Sequence, residues 1–135
     1  PEHAYSSYGG LVAGWRNQIL ARNATIAGGS DSIASGPSST IVGGQYHNAT
    51  RILTTILGGV GNRATQTYAT VAGGEGNLAS GYKGHITGGS RNIAAGEYSV
   101  VSGGVQNQAV AKGSVILGGV GQVATSENQT IPQLP

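Results

Sequence analysis

The sequence predicts an all-β fold, a parallel β-roll or β-solenoid of about eight coils with fifteen residues in each coil. Three observations support this fold class: a glycine pair, an alanine row and an isoleucine-valine row each return every fifteen residues. A fixed period of this length is typical of proteins whose repeated units stack on their neighbours. The predicted turn glycines are Gly28 and Gly29, Gly43 and Gly44, Gly58 and Gly59, Gly73 and Gly74, Gly88 and Gly89, Gly103 and Gly104, and Gly118 and Gly119.

We number the repeat from the first glycine of each pair, which is position 1. Position 5 is asparagine in five of eight units, and position 7 is alanine in seven of eight. Counting backwards from Gly28 makes Ala13 and Gly14 a degenerate eighth pair. The same count assigns Leu11 to position 14 and Val12 to position 15.

Each unit is expected to contain two short extended segments, near positions 6 to 8 and 12 to 15, because fifteen residues cannot hold two long strands and two turns. The glycine pair supplies positive φ angles for the first turn, and the asparagine tolerates the left-handed region and bonds neighbouring backbone. Glycine marks the second turn only at Gly36, Gly81 and Gly96. Strand alternation points positions 12 and 14 into the coil and positions 13 and 15 outward.

The two ends depart from the repeat. The predicted repeat domain covers residues 11–131. Residues 1–10 are expected to be an N-terminal cap or the continuation of a longer chain, and residues 132–135 a C-terminal tail. Pro132 and Pro135 cannot extend a central ladder of hydrogen bonds.

The predicted coil interior buries little apolar surface, because each coil contributes about one isoleucine and one alanine to it. We therefore expect chains to share their cores. Position 15 should point outward, yet it is apolar at six of nine places, as a contact between chains requires. The alternative is that short strands twist and this row closes the coil. The row consists of Val12, Ala27, Val42, Leu57, Ala72, Thr87, Ser102, Leu117 and Pro132.

The composition argues against several classes of function. Seven Lys and Arg against five Asp and Glu give a net charge of +2, and the basic residues are scattered singly, so no nucleic-acid footprint is expected. The chain has no cysteine, which excludes disulfides and thiolate metal sites. No apolar run reaches membrane-spanning length, so we expect no direct membrane insertion by this segment.

The sequence offers no support for catalysis, and it predicts no catalytic, cofactor-binding or metal-binding residue. Matches to G-x-G-x-x-A, such as the one that begins at Gly59, recur as part of the repeat and do not indicate a dinucleotide site. The acidic residues, Glu2 among them, occupy turns at different positions, and His3, His47 and His85 are far apart. His47 replaces asparagine at position 5 and is interpreted as a turn residue rather than as a ligand or base.

Two units, G-G-E-G-N-L-A-S-G-Y-K-G-H-I-T (residues 73–87) and G-G-S-R-N-I-A-A-G-E-Y-S-V-V-S (residues 88–102), resemble head repeats of trimeric autotransporter adhesins. The likeness spans about residues 11–131. It implies a left-handed parallel β-roll in which three chains wind around a threefold axis, and similar repeats occur in viral and phage fibre proteins. The resemblance further implies a rigid, extracellular adhesin at the cell surface that binds a host or matrix protein or a glycan. Units 43–57 and 58–72 depart from the pattern because they lack the second-turn glycine.

Two other functions stay open from the sequence. One is a viral surface or fibre component, located on the virion, with a mainly structural role. The other is a monomeric solenoid that binds ice or carbohydrate, because position 13 carries an outward row of threonines. Since that row is interrupted, β-propensity alone also explains it. The row reads Thr25, Thr40, Thr55, Thr70, His85, Val100 and Val115.

Aromatic and basic residues in the turns are the candidate receptor contacts, since recognition surfaces favour exposed side chains of these types. Turns carry such residues in other proteins without any contact role. Three N-glycosylation sequons begin at Asn23, Asn48 and Asn128, and they matter only in a source that secretes the chain through a glycosylating pathway. The candidate contacts are Trp15, Tyr46, Tyr68, Tyr82, Lys83, Arg91 and Tyr98.

Overall fold

A computed structural model describes residues 4–5 and 10–132 of the chain. These residues form eighteen strands of two residues each. Within them, no helix is long and apolar enough to cross a membrane. Parts of the predicted end segments, residues 1–3, 6–9 and 133–135, lie outside the described residues. The strands are β1 (Ala4–Tyr5), β2 (Leu11–Val12), β3 (Gln18–Ile19), β4 (Thr25–Ile26), β5 (Ile33–Ala34), β6 (Thr40–Ile41), β7 (Asn48–Ala49), β8 (Thr55–Ile56), β9 (Arg63–Ala64), β10 (Thr70–Val71), β11 (Leu78–Ala79), β12 (His85–Ile86), β13 (Ile93–Ala94), β14 (Val100–Val101), β15 (Gln108–Ala109), β16 (Val115–Ile116), β17 (Val123–Ala124) and β18 (Thr130–Ile131).

Two parallel sheets of nine strands pack against each other. The odd-numbered strands form one sheet and the even-numbered strands form the other, so each coil contributes one strand to each sheet. Neighbouring strands align one repeat apart, as Thr70 does with His85. A third line of parallel bridges follows position 3 from Trp15 to Val120. The predicted fold class, an all-β parallel β-solenoid of about eight coils, is confirmed.

The core lies between the two sheets, inside one chain. From Ile26 to Ile116 the isoleucines and valines at position 14 are fully buried, as are the alanines at position 7, whereas position 13 of the same strands stays partly exposed. The predicted alternation is therefore confirmed. Because one chain buries the position-14 row by itself, position 15 is the predicted apolar row that stays exposed.

A ladder of buried polar side chains follows position 5 along the solenoid. At a typical rung, Asn77 Oδ1 accepts the backbone N–H of Asn92 at 2.8 Å, and Asn77 Nδ2 donates to the carbonyl oxygens of Gly73 and Gly89, each at 3.0 Å. Each asparagine rung thus joins the glycine turn of its own coil to the next coil, which confirms the predicted bonding of asparagine to backbone. The buried rungs are Asn17, Ser32, His47, Asn62, Asn77, Asn92 and Asn107.

The positive φ angles fall only in part on the predicted residues. Of each glycine pair only the second member is left-handed, as Gly59 is at φ 92°, and the assignment of positive φ to the first member is wrong. A Cβ on Gly59 would also collide with the carbonyl oxygen of Gly74 in the next coil. Position 5 is not left-handed either. The positive φ angle instead belongs to position 4, for example Tyr46 at φ 59°. This residue turns the chain so that the side chain at position 5 points into the polar ladder.

The first unit is one residue shorter than the register inferred from the sequence. Val12 pairs with Ile26, an offset of fourteen residues rather than fifteen. Val12 therefore points inward and is 8% exposed, while Leu11 points outward and is 60% exposed. The assignments of Leu11 to position 14 and of Val12 to position 15 are wrong. The missing residue falls at the glycine corner, where Gly14 alone is left-handed at φ 91°.

Candidate functional site

Two opposite edges of the solenoid carry the residues that vary between coils. The odd-numbered strands run from the glycine turn to the second turn, and the even-numbered strands run back, so the two turns lie at opposite edges. We call positions 15 to 5 the glycine edge and positions 8 to 12 the second-turn edge. The candidate contacts divide between them: Tyr68, Tyr82, Lys83 and Tyr98 lie on the second-turn edge, and Trp15, Tyr46 and Arg91 lie on the glycine edge.

The four residues on the second-turn edge form one group, which we call the tyrosine-lysine cluster. The rings of Tyr68 and Tyr82 meet edge to face, with centroids 5.9 Å apart and planes at 86°. Tyr82 and Tyr98 repeat this geometry at 5.8 Å and 87°. Lys83 Nζ lies 5.5 Å from the centroids of Tyr68 and Tyr82 and 5.4 Å from that of Tyr98. One ammonium group is thus within cation-π range of three rings.

The backbone beneath this cluster is left-handed at position 11. Tyr68, Lys83 and Tyr98 occupy that position in successive coils, with φ angles of 60°, 54° and 57°. The left-handed region costs an L-residue other than glycine or asparagine roughly 1–2 kcal/mol. Position 11 is left-handed in the other coils as well, at Asn23, Ser38, Leu53, Gly113 and Asn128, so this conformation belongs to the second turn of the repeat and not to the cluster alone.

The polar groups of the cluster have no partners among the described residues. None of the three tyrosine hydroxyls takes part in a hydrogen bond within this part of the chain, and Lys83 makes no salt bridge there. The nearest acid along the edge, Glu97, instead pairs with Lys112 at 3.8 Å. The cluster therefore presents a cation, hydroxyl groups and aromatic surface together.

Sequence reasoning missed two further features of the second-turn edge. Ile52 and Leu53 are exposed one coil before Tyr68 and extend its apolar surface. In addition, four basic residues that look scattered in the sequence share this edge, one in every second coil. The sequence contains this information, because stacking places residues that are about a whole number of periods apart on the same edge. These residues are Arg22, Arg51, Lys83 and Lys112.

The other three candidate contacts do not come together. Trp15, Tyr46 and Arg91 are all exposed on the glycine edge, but they belong to the first, third and sixth coils. Strands in neighbouring coils are about 4.8 Å apart, so two or more coil steps separate each of these residues from the next. They do not form a single site within one chain.

His47 lies inside the polar ladder. Its Nδ1 atom accepts the backbone N–H of Asn62 at 3.1 Å, so the imidazole proton belongs on Nε2, which is buried without a hydrogen-bond partner among the described residues. Burial lowers the pKa of His47 below its ordinary value, against smaller opposing effects of the backbone at Asn62, Gly59 and Gly43. His47 is therefore a neutral rung of the ladder.

The acidic and histidine side chains of residues 10–132 include no group of three that could hold a metal ion. Asp31 forms a salt bridge with Arg16 at 3.4 Å, between neighbouring coils on the glycine edge. Glu2 and His3 lie outside the described residues.

The three sequons differ in their surroundings. Asn23 and Asn128 are exposed at position 11 and left-handed, with φ angles of 57° and 55°. Asn48 lies in β7, is partly buried, and its Oδ1 atom is buried without a partner among the described residues. Asn23 and Asn128 are accordingly the more accessible glycan acceptors.

A scan against protein-family models finds no match for this chain, and a search of the curated proteins finds none.

Proposed function

We propose that this chain is the head of a surface-displayed adhesin or fibre: a rigid, left-handed trimeric β-roll that binds a host or matrix receptor. The proposal assigns the chain a structural and binding role at the cell surface, with no cofactor and no enzymatic activity. It is supported by the resemblance of the repeat to adhesin heads and by the different character of the two edges.

The observation that carries the proposal is the exposed apolar row on the glycine edge. Val42, Leu57 and Leu117 at position 15 are 46%, 47% and 52% exposed. Val60 and Val120 at position 3 are exposed on the same edge. Soluble monomers seldom expose aligned apolar side chains over such a length, so a second copy of the chain is the proposed cover.

The position-1 glycines support the same interface. In six coils no heavy atom of the described residues lies within 4 Å of the place where a Cβ would stand, and the φ angle is not left-handed. Nothing in residues 4–5 and 10–132 therefore requires glycine at this position. A bare backbone beside the apolar row lets another chain approach closely. The six residues are Gly43, Gly58, Gly73, Gly88, Gly103 and Gly118.

The trimer explains why the two edges differ. Three chains that bury their glycine edges around one axis leave each second-turn edge on the outside. The tyrosine-lysine cluster is then presented three times on a rigid frame. Simultaneous engagement of repeated sites raises avidity by about 10²- to 10⁴-fold without a new contact.

Adhesion of protein-coated beads tests the proposal. Beads that carry the chain should adhere to host cells or to a panel of matrix proteins and glycans, and beads that carry a denatured and blocked sample should not. The soluble chain should be a trimer in the same buffer. A monomer that adheres to nothing would contradict the proposal, and a trimer that adheres to nothing would favour a virion surface or fibre component with a mainly structural role.

The threonine row favours a second candidate function, ice binding by a monomer. Four threonines stand in direct parallel register on the outer face of the even-numbered sheet, and each is partly exposed. A flat threonine array suits the surface of ice. The register continues into His85 and Val100, which shortens the array. Thermal hysteresis in a cooled solution would favour this function over adhesion. The four residues are Thr25, Thr40, Thr55 and Thr70.

A further inference from the structure

We propose that the second-turn edge binds a linear acidic polysaccharide, with the tyrosine-lysine cluster as its anchor. This inference rests on the proposed adhesin function and names the receptor class: a glycan chain that carries carboxylate or sulfate groups at regular intervals.

Lys83 supplies the charge that selects an anion. Three tyrosine rings hold its ammonium group in place, at 5.4–5.5 Å from their centroids, and no acidic side chain among the described residues neutralises it. A ring face attracts a cation through its quadrupole without removing the charge. The ammonium group therefore repels a second cation and remains available to a carboxylate or sulfate.

The tyrosines supply the surface that selects a sugar. Tyr68 and Tyr98 are exposed, and the perpendicular Tyr82 lies between them. Tyrosine offers an apolar ring against which the C–H face of a pyranose packs, and a hydroxyl that bonds the hydroxyl groups of the sugar. An inorganic anion would use the lysine and leave this surface unoccupied.

The basic residues along the edge select a polymer. Arg22, Arg51, Lys83 and Lys112 recur at every second coil, which corresponds to about 10 Å along the solenoid. No acidic residue occupies the second turn in the first five coils. A polysaccharide with one acidic group in each disaccharide has charges at a comparable interval. A nucleic acid carries one phosphate for each 3.4 Å of strand, roughly three times the density of these cations.

Calorimetric titration of the assembled protein tests the inference with defined probes. The acidic probes are hyaluronan octasaccharide, which carries carboxylates only, and chondroitin sulfate octasaccharide, which carries carboxylates and sulfates. Binding of both would indicate carboxylate recognition, and binding of the second alone would indicate sulfate recognition. Dextran is the neutral sugar, poly-glutamate the acidic peptide and oligo-deoxythymidine the nucleic acid. The test variants are Lys83→Asn and Tyr98→Asn, because asparagine already occupies left-handed position 11 at Asn23 and Asn128.

The matched control for charge lies on the outer face of the odd-numbered sheet, outside both edges. Arg63→Thr removes one exposed positive charge from β9. Lys83→Asn should weaken binding of at least one acidic octasaccharide about tenfold or more, as the loss of a charge-assisted contact does. Tyr98→Asn should weaken it severalfold. The control should change it by less than about twofold, and added salt should weaken binding by the wild type.

Three results would overturn the inference: no binding of either acidic octasaccharide, equal losses from Lys83→Asn and Arg63→Thr, or tighter binding of poly-glutamate or oligo-deoxythymidine than of the glycans. Circular dichroism of each variant confirms that the fold is intact. A trimer that adheres to cells but binds neither octasaccharide contradicts this inference and leaves the proposed function standing. A monomer that binds them contradicts the trimer and leaves the site standing.

Discussion

The Nδ1 atom of His47 accepts the backbone N–H of Asn62 at 3.1 Å, in the place where other coils use an asparagine Oδ1. The imidazole preserves this bond between coils, but its Nε2 atom has no hydrogen-bond partner among the described residues. At the next rung, Asn62 Nδ2 donates to the carbonyl oxygens of Gly58 and Gly74 at 2.9 and 3.0 Å. The His47 rung lacks both of these bonds and is therefore a weak point of the ladder.

His47→Asn should stabilise the protein, because the amide restores two donated hydrogen bonds inside the chain. Each such bond is worth about 1 kcal/mol net, so we expect a gain of about 1–2 kcal/mol in the free energy of unfolding at pH 7.5. Urea unfolding followed by circular dichroism measures it. A loss of stability would show that the ladder does not govern this rung.

The same variant should also change the pH dependence of stability. Burial lowers the pKa of His47, so below the unfolded value of 6.5 the unfolded chain takes up a proton that the folded chain does not. The wild type should therefore lose stability as the pH falls from 7 to 5, by at most about 1.4 kcal/mol per pH unit from this group. His47→Asn should lose less. His85→Thr is the control, because His85 lies on the outer face of a sheet, and it should leave the wild-type pH profile unchanged.

Asn77→Ala should be strongly destabilising. It removes one accepted and two donated hydrogen bonds and leaves the backbone groups of Gly73, Gly89 and Asn92 without these partners. We expect a loss of about 2–4 kcal/mol, since each buried unpaired group costs about 1–3 kcal/mol. Gln122→Ala is the matched control at the same repeat position, because the Gln122 amide donates only to Val120 in an exposed bond. Equal losses from the two variants would contradict the ladder.

The two members of a glycine pair should respond differently to alanine. Gly59→Ala places a side chain at φ 92° and against the backbone of Gly74, so we expect it to destabilise the single chain by several kcal/mol. Gly58→Ala has open space and an ordinary φ angle, so the fold should tolerate it. In the proposed trimer, Gly58→Ala should weaken association instead. Thermal melts over a range of protein concentrations separate the two effects, and identical melts for both variants would refute the distinction.

The apolar row should govern self-association without governing the fold. Replacing Leu57 and Leu117 together by serine removes two exposed leucines from the glycine edge and should shift the assembly toward monomers, with unchanged circular dichroism. The matched control is Leu53→Ser, which removes an exposed leucine from the opposite edge. Sedimentation velocity measures the shift, and an equal shift in the control would rule out an interface specific to the glycine edge.

The period predicted the fold because a fifteen-residue repeat with inward alanine and isoleucine rows allows few other structures. The register of the first unit could not be predicted, since Leu11 and Val12 are both apolar and either one satisfies the pattern. The two glycines of a pair cannot be told apart in the sequence, although only the second one, such as Gly59, has a left-handed backbone. The grouping of Lys83 with three rings depends on side-chain conformations in three coils, which a row-by-row interpretation of the sequence does not reveal.

The mass of the protein in solution tests the proposed trimer most directly. The proposed trimer explains three features together: the exposed apolar row at position 15, the glycines at position 1 and the outward-facing tyrosine-lysine cluster. Sedimentation equilibrium of the 13.4 kDa chain should give three times that mass, about 40 kDa, at micromolar concentration. A species of 13.4 kDa that persists as the concentration rises would contradict the account.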